Sequence, residues 1–348
     1  MTLVLGLMAG IWGLGSVMGA PRRQRWGMIA AVWVGVLGLL LALPVGHPVR
    51  AFLGGDARVW LVLSGIVAVG FGYFVGLKRL KAKKNPVVSS ATFQPAELDR
   101  YARHIMLREI GGPGQKRLKS AKILVVGAGG LGSPVLLYLA AAGVGCIGVI
   151  DDDTVDASNL QRQIIHADQR VGMPKVQSAQ IAVQALNPHV TLLPYQRRLT
   201  EDNAADLMGD YDLILDGSDN FDTRYLINRV AAHLGKPLIS GAITQWEGQV
   251  SLYDPARGTP CYECIFPHRP APGMVPTCAE AGVVAALPGV IGSMMAMEAI
   301  KHICEAGQGL GGRLLIHDAL FAETRVISIE KRADCAVCGS GAAELTGP

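Results

Sequence analysis

The chain has 348 residues, half of them hydrophobic, with a mean hydropathy of +0.32 and a formal net charge of +4. That length holds one large catalytic domain plus an extra segment. The small charge, with basic residues clustered at 22–25 and 78–84, excludes a nucleic-acid patch, and seven unevenly spaced cysteines exclude a disulfide scaffold.

The apolar excess lies in the first 80 residues. Segments 2–20, 26–43 and 59–77 are uncharged and mostly apolar. Each has about the length a bilayer-spanning helix needs, roughly 17–25 residues. Residues 1–84 therefore read as a membrane anchor of three transmembrane helices. A signal peptide followed by buried helices is the competing reading, but the N-terminus lacks the basic segment that a signal peptide carries. Arg22, Arg23 and Arg25 follow the first span, and Lys78, Arg79, Lys81, Lys83 and Lys84 follow the third. Basic loops stay inside, which predicts an external N-terminus and a cytoplasmic C-terminal domain. No charge lies within a span, so the segment reads as a tether rather than a transport path. Residues 85–94, with Pro86, Ser89 and Ser90, read as a linker.

From Pro95 the pattern becomes amphipathic, and residues 95–348 read as one catalytic domain. Helices are expected over 96–109, 133–142, 174–186 and 222–234, with strands over 122–126, 146–150, 190–195, 211–215 and 237–240. This alternation predicts an α/β fold with a mostly parallel sheet and helices on both faces. After Gln249 the pieces turn strand-like around cysteines. An apolar helix over 290–303 and strands over 313–317 and 324–330 follow.

The first strand leads into Gly127-Ala128-Gly129-Gly130-Leu131-Gly132. Gly127, Gly129 and Gly132, with Gly130 in the same run, let the backbone approach a phosphate at a helix start. Asp151, at the end of the next strand, is placed to bond ribose hydroxyls. This much fits a dinucleotide oxidoreductase equally well. Ser158-Asn159-Leu160-Gln161-Arg162-Gln163 and Pro174-Lys175 then add two cations, which suit a triphosphate and its pyrophosphate leaving group. Asp219-Asn220, after the strand ending at Asp216, offers a carboxylate for Mg²⁺ at the same sheet edge. Singly, each charge fits a solvated loop; the set does not look like scatter.

Two Cys-x-x-Cys pairs, Cys261/Cys264 and Cys335/Cys338, stand 71 residues apart. They predict a closed tetrahedral zinc site that is structural, rather than a redox pair. Paired cysteines of this kind fit a reducing compartment. Cys146 and Cys304 lie in apolar patterns and read as core. Cys278 follows a proline-rich stretch and is kept as a separate candidate.

The segments RYARH (100–104), GAGGLG, DDDTVDASNLQRQ, VGMPKVQSA, LILDGSDN, SGAITQWEGQV, CYECIFP, PTCAEAGV and CAVCG follow one another in the order found in the activators of ubiquitin-like proteins. Over about residues 95–340 the chain resembles that family, nearest the bacterial molybdopterin-synthase adenylyltransferases, with the thiamine sulfur-carrier adenylyltransferases beside them. The membrane segment falls outside the family pattern, and no appended rhodanese domain is expected. The resemblance implies a Rossmann-like sheet extended by antiparallel strands and a Cys₄ zinc site. It implies ATP, Mg²⁺ and Zn²⁺, and adenylation of the C-terminal Gly-Gly of a small β-grasp sulfur-carrier protein. A cysteine desulfurase or rhodanese would then supply sulfur. It further implies that Arg162 and Lys175 hold the phosphates, Asn159 orients them, Asp219 binds Mg²⁺ and Asp151 the ribose. Arg103 would cross a homodimer interface, and Cys278 would sit where some members bear a thioester or acyl-persulfide. A bacterial inner-membrane location with a cytoplasmic catalytic domain completes the expectation. A non-catalytic scaffold is disfavoured by Arg103, Arg162, Lys175 and Asp219 occurring together.

Overall fold

A computed structural model describes residues 2–17, 22–44, 46–53, 56, 58–65, 69, 73, 93–270 and 281–339. Contacts divide the chain into two compact units, Met1–Pro86 and Val87–Pro348.

In the first unit, α1 (Thr2–Val17) is apolar along its length, α2 (Arg22–Ala42) is apolar after a basic first turn, and α3 (Pro48–Leu53) follows. Val4, Met8, Val36, Leu40 and Trp60 form a small buried cluster. Trp33 packs edge-on to Trp60 at 4.8 Å and donates its indole N–H to Ser64 Oγ at 2.9 Å. Among the described residues one helix, Gln24–Ala42, is long and apolar enough to cross a membrane. Within the expected first span, residues 2–17 form a helix and 18–20 lie outside the described residues. Most of 66–77, the second half of the expected third span, lies outside the described residues, as does most of the linker.

The second unit begins with α4 (Pro95–Ile105) and α5 (Gly111–Ser120). Sequence predicts a single helix over 96–109. The helix instead ends at Ile105, capped by Met106, and after a turn Gly111 at φ +58 opens a second helix. Its opening Gly-Gly-Pro-Gly reads as a loop, yet Pro113 sits in the first turn, where the missing N–H costs nothing. Packing fixes this helix. Leu118 is buried, and Lys119 pairs with Glu97 of α4 at 2.7 Å in a buried ion pair.

Eight strands follow: β1 (Lys122–Val126), β2 (Cys146–Ile150), β3 (Thr191–Tyr195), β4 (Leu213–Asp216), β5 (Leu238–Ile243), β6 (Glu247–Tyr253), β7 (Arg313–Asp318) and β8 (Glu323–Ser328). They form one sheet in the order β3-β2-β1-β4-β5-β6-β7-β8. The first five in that order are parallel and the rest antiparallel. The helices are α6 (Gly132–Ala142), α7 (Lys175–Leu186), α8 (Glu201–Gly209), α9 (Phe221–His233), α10 (Tyr262–Ile265) and α11 (Leu287–Cys304). Residues 196–210 carry no element from the sequence pattern. There α8 forms, opened by a capping box between Thr200 and Asn203.

The strand pleat sorts the core into two layers. Ile123, Val125, Ile147 and Val149 face α5, α6, α7 and α11. Leu124, Val126 and Ile150 face α8, α9 and α10. Each such fully buried aliphatic side chain contributes about 1.5–3 kcal/mol. Strand order reverses between β1 and β4, so the loops after those two strands meet in one crevice.

Candidate functional site

Gly127 ends β1 with φ +93 and donates its N–H to Ile150 O at 2.9 Å, which joins the loop to the end of β2. A Cβ at Gly127 would lie 3.0 Å from Gly217 O, in the loop after β4, and one at Gly132 only 2.0 Å from Gly127 O. These two glycines allow the close packing of both loops and the start of α6. A Cβ at Gly129 would meet nothing closer than Gln163 Nε2 at 3.5 Å, so that side of the backbone leaves an approach for a ligand. Gly130 is covered by Pro288 on one side, with Arg162 Cγ 3.9 Å from its Cβ position.

Asp151 accepts from Ala128 N–H at 2.8 Å and from Asp153 N–H at 2.9 Å. Burial pushes its carboxyl up, while the backbone bonds and Lys175 oppose that. The side chain therefore fixes the glycine loop. Its remaining lone pairs are what a ribose hydroxyl would meet.

The loop after β2 continues with Asp156, which caps the 3₁₀ turn Ala157–Asn159 by accepting from Ser158 N–H and Oγ. Asn159 Oδ1 accepts from Gln163 at 2.8 Å and Arg162 at 3.4 Å. Gln163 Nε2 in turn lies 3.5 Å from the Cβ position of Gly129. The Ser158–Gln163 segment thus lies over the glycine loop. Lys175 opens α7, with its side chain 7 % exposed and Nζ 2.7 Å from Asp153 Oδ2, which is 66 % exposed. Lys175 N–H also bonds Asp153 O at 2.9 Å.

After β4, Asp216 is fully buried. It accepts from Ser218 N–H and Oγ and from Ser240 Oγ, and lies 3.5 Å from Arg224 Nε. Arg224 also donates to Ser218 O and Gly241 O. This buried network stiffens the loop that presents Asp219. Asp219 is exposed and makes no hydrogen bond or ion pair among the described residues. Asn220 spends its Oδ1 on capping α9 through Thr223 N–H at 2.9 Å.

The four paired cysteines converge. Sγ separations are 3.9 Å for Cys261–Cys264, 3.5 Å for Cys261–Cys335 and 3.4 Å for Cys264–Cys338, and all four lie within 4.8 Å of one another. A zinc ion with bonds of about 2.3 Å to a sulfur tetrahedron requires edges of about 3.8 Å, so the set fits that metal. Burial, then the neighbouring cysteines, pushes the Cys261 thiol far up. A divalent cation reverses that balance. Asn228 of α9 supports the cluster, lying 3.8 Å from Cys261 Sγ and accepting from Tyr262 N–H at 2.9 Å.

The profile of the ThiF family matches residues 101–337, more than half of the chain. The chain belongs to the ThiF family. It is 51% identical to the sulfur carrier protein adenylyltransferase of Thermus thermophilus, across 70% of this chain and 91% of that protein. It is 47% identical to the SAMP-activating enzyme E1 of Haloferax volcanii, across 70% and 90%. Against the probable adenylyltransferase/sulfurtransferase MoeZ of Mycobacterium tuberculosis it is 50% identical across 71% of this chain and 64% of that protein. Escherichia coli MccB, solved with MccA-N7isoASN, superposes with a TM-score of 0.62 at 22% identity, across 69% of this chain and 75% of MccB, which shows the shared fold.

In this ThiF chain, Gly127–Gly132, Asp151, Ser158, Asn159, Arg162 and Asp219 follow the ends of β1, β2 and β4, and Lys175 opens α7, which the loop after β2 leads into. Arg103 lies apart on the exposed side of α4 and makes no hydrogen bond or ion pair among the described residues. Cys278 lies outside the described residues. Four residues escape the sequence reading. Asp153 holds Lys175, His166 reaches Ala128, Arg224 pairs with Asp216, and Asn228 backs the cysteines. For Asp153 a signal existed, the acidic run Asp151-Asp152-Asp153. The other three depend on contacts across the fold.

Proposed function

We propose that this chain is an ATP-dependent nucleotidyltransferase that adenylates the C-terminal glycine of a small ubiquitin-like sulfur-carrier protein. The observation that carries the reading is a buried Lys175 at the start of α7 together with Arg162 against Gly130, in the Ser158–Gln163 segment that lies over the glycine loop. A hydride-transfer site needs no such pair of cations, whereas a triphosphate does. The names of the Thermus, Haloferax and Mycobacterium relatives agree.

In this reading the carrier's carboxylate oxygen attacks the α-phosphorus of ATP. The bond from that phosphorus to the bridging oxygen breaks, pyrophosphate leaves, and an acyl-adenylate remains. A carboxylate is a weak nucleophile, so the site supplies position and charge neutralisation. Backbone N–H groups at the start of α6 face the phosphates, and Arg162 and Lys175 take their charge, Lys175 exchanging Asp153 for the nucleotide. Asn159 orients Arg162, and Asp151 bonds the ribose. Asp219, unshared and exposed, fits as a Mg²⁺ ligand, and that ion supplies charge stabilisation to the phosphates when bound. Arg103 comes from the neighbouring copy in a homodimer. A cysteine desulfurase or rhodanese supplies sulfur as a bound persulfide, whose terminal sulfur displaces AMP from the acyl carbon; a second thiol then cleaves the resulting acyl disulfide, which releases the thiocarboxylate and leaves a disulfide behind. Cys278 is the position at which a covalent link to carrier or sulfur would form.

The small subunit of molybdopterin synthase is the proposed carrier, and the thiamine-pathway carrier is the alternative that the experiment separates. We assign residues 1–84 as anchor and 95–348 as catalytic domain. The outward side chains of α2, such as Val34, Leu39 and Leu41, suit lipid contact, and Arg22, Arg23 and Arg25 at its start place that end in the cytoplasm of a bacterial inner membrane. The test is ATP–pyrophosphate exchange with each purified carrier, followed by mass analysis of its C-terminus. Exchange that does not depend on a Gly-Gly-ending carrier, or none at all, would overturn the reading.

A further inference from the structure

We propose that His166 is a positioning residue that clamps the glycine loop to the Lys175 helix. The imidazole is buried between the two, 7 % exposed. Its Nε2 lies 2.9 Å from Ala128 O and its Nδ1 2.9 Å from Ser178 Oγ. The partners assign the tautomer. A carbonyl can only accept, so Nε2 carries the hydrogen and Nδ1 accepts from the Ser178 hydroxyl. Ala128 sits inside the glycine run, and Ser178 lies three residues after Lys175 on α7.

Ala128 is therefore gripped at both ends. Its N–H is held by Asp151 and its carbonyl by His166. The far end of the brace is fixed as well, because Arg170 donates to Ser178 O at 2.5 Å. Two separate pieces of the site, the backbone that faces a phosphate and the helix that carries the buried cation, are joined by one side chain. A nucleotide then meets a loop already in place and spends no binding energy on ordering it.

The clamp needs a neutral ring. The charged groups facing it are Lys175 of α7 and Arg170 of the 3₁₀ turn Asp168–Arg170. Burial first, and then these two cations, hold the imidazole below its ordinary range, partly offset by the bond to Ala128. As pH falls through that lowered value the ring gains a proton, Nδ1 stops accepting, and the link to Ser178 is lost.

The inference rests on the nucleotide reading of this site, and the two fail differently. The full-length protein is titrated with ATP and MgCl₂, and carrier-dependent exchange is followed across pH. His166→Ala is expected to weaken ATP binding about tenfold and to raise KM for ATP more than it lowers kcat, while zinc content and thermal melting stay near wild type. Ser178→Ala, the milder cut, shifts KM in the same direction. Wild type loses ATP affinity on the acid side, and His166→Gln, with no titrating group there, lacks that limb. Unchanged ATP affinity in a folded His166→Ala, or an acid limb kept intact in His166→Gln, overturns the clamp. If His166→Ala does not fold, an unchanged KM in Ser178→Ala does so instead. Wild-type protein that binds no ATP sinks the nucleotide reading and the clamp with it.

Discussion

The cysteine cluster and the nucleotide loops are built on opposite plans. At the cluster every ligand points inward, three of the four cysteines are buried, and the sulfurs come from two segments that only the fold unites. Tyr262, packed edge-on to Tyr225 and Tyr253, and Asn228 press α10 onto α9. At the loops after β1, β2 and β4 the buried residues are fixed, and two candidate charges stand unpaired among the described residues. Asp216, Arg224 and His166 are buried and bonded, whereas Asp219 and Arg103 project from the surface. A structural site satisfies itself, and a reactive site keeps its charge for something that arrives.

The sharpest way to break this comparison is at the cluster. Cys335→Ser should lose zinc and cost ~5 kcal/mol or more, because metal affinity here is folding energy. Zinc content and thermal unfolding measure it, and activity should vanish with the fold. A variant that keeps its melting temperature would mean that the cluster is not structural.

Asp219→Ala should do the reverse. Melting should hardly move, since the side chain bonds to nothing among the described residues. Carrier-dependent exchange should fall about 10³-fold through loss of a charge that stabilises the transition state. Exchange near the wild-type rate would remove Asp219 from the site.

Arg103→Ala and Lys175→Ala test whether the proposed site is built from one copy or two. Each should be inactive alone, and mixed dimers should recover part of the activity, because one of their two sites then has both cations. Demonstrated mixed dimers with no recovery would return Arg103 to a surface role.

Legibility follows the same division. The glycine run, both cysteine pairs and the acidic strand ends were readable because local spacing carries their meaning. The parallel core strands were readable too, as short apolar runs between turns. Helix α5 was hidden, since Gly111, Gly112, Pro113 and Gly114 are poor helix formers and only the fold gives Leu118 and Lys119 their partners. His166, Arg224 and Asn228 were hidden for a deeper reason. Each works through a residue at least six positions away, and no periodicity records such a contact. Of the three expected spans, the second contains the one described helix, Gln24–Ala42, long and apolar enough to cross a membrane, and much of the third lies outside the described residues.

The smallest expected effect belongs to Cys278→Ala. Adenylation joins a carboxylate oxygen to phosphorus and needs no thiol, so exchange should remain within about twofold of wild type, roughly ±0.5 kcal/mol. Sulfur transfer is a separate step, in which a nucleophilic sulfur replaces AMP at the acyl carbon. With sulfide supplied from outside, thiocarboxylate should still form on the variant, read by mass analysis of the carrier. A covalent carrier–Cys278 species trapped on wild type, with no thiocarboxylate on the variant, would place the thiol on the sulfur route. Loss of exchange itself in a folded, zinc-loaded variant would be more damaging, because it would show that the two steps share a residue and that the phosphoryl site is not self-contained.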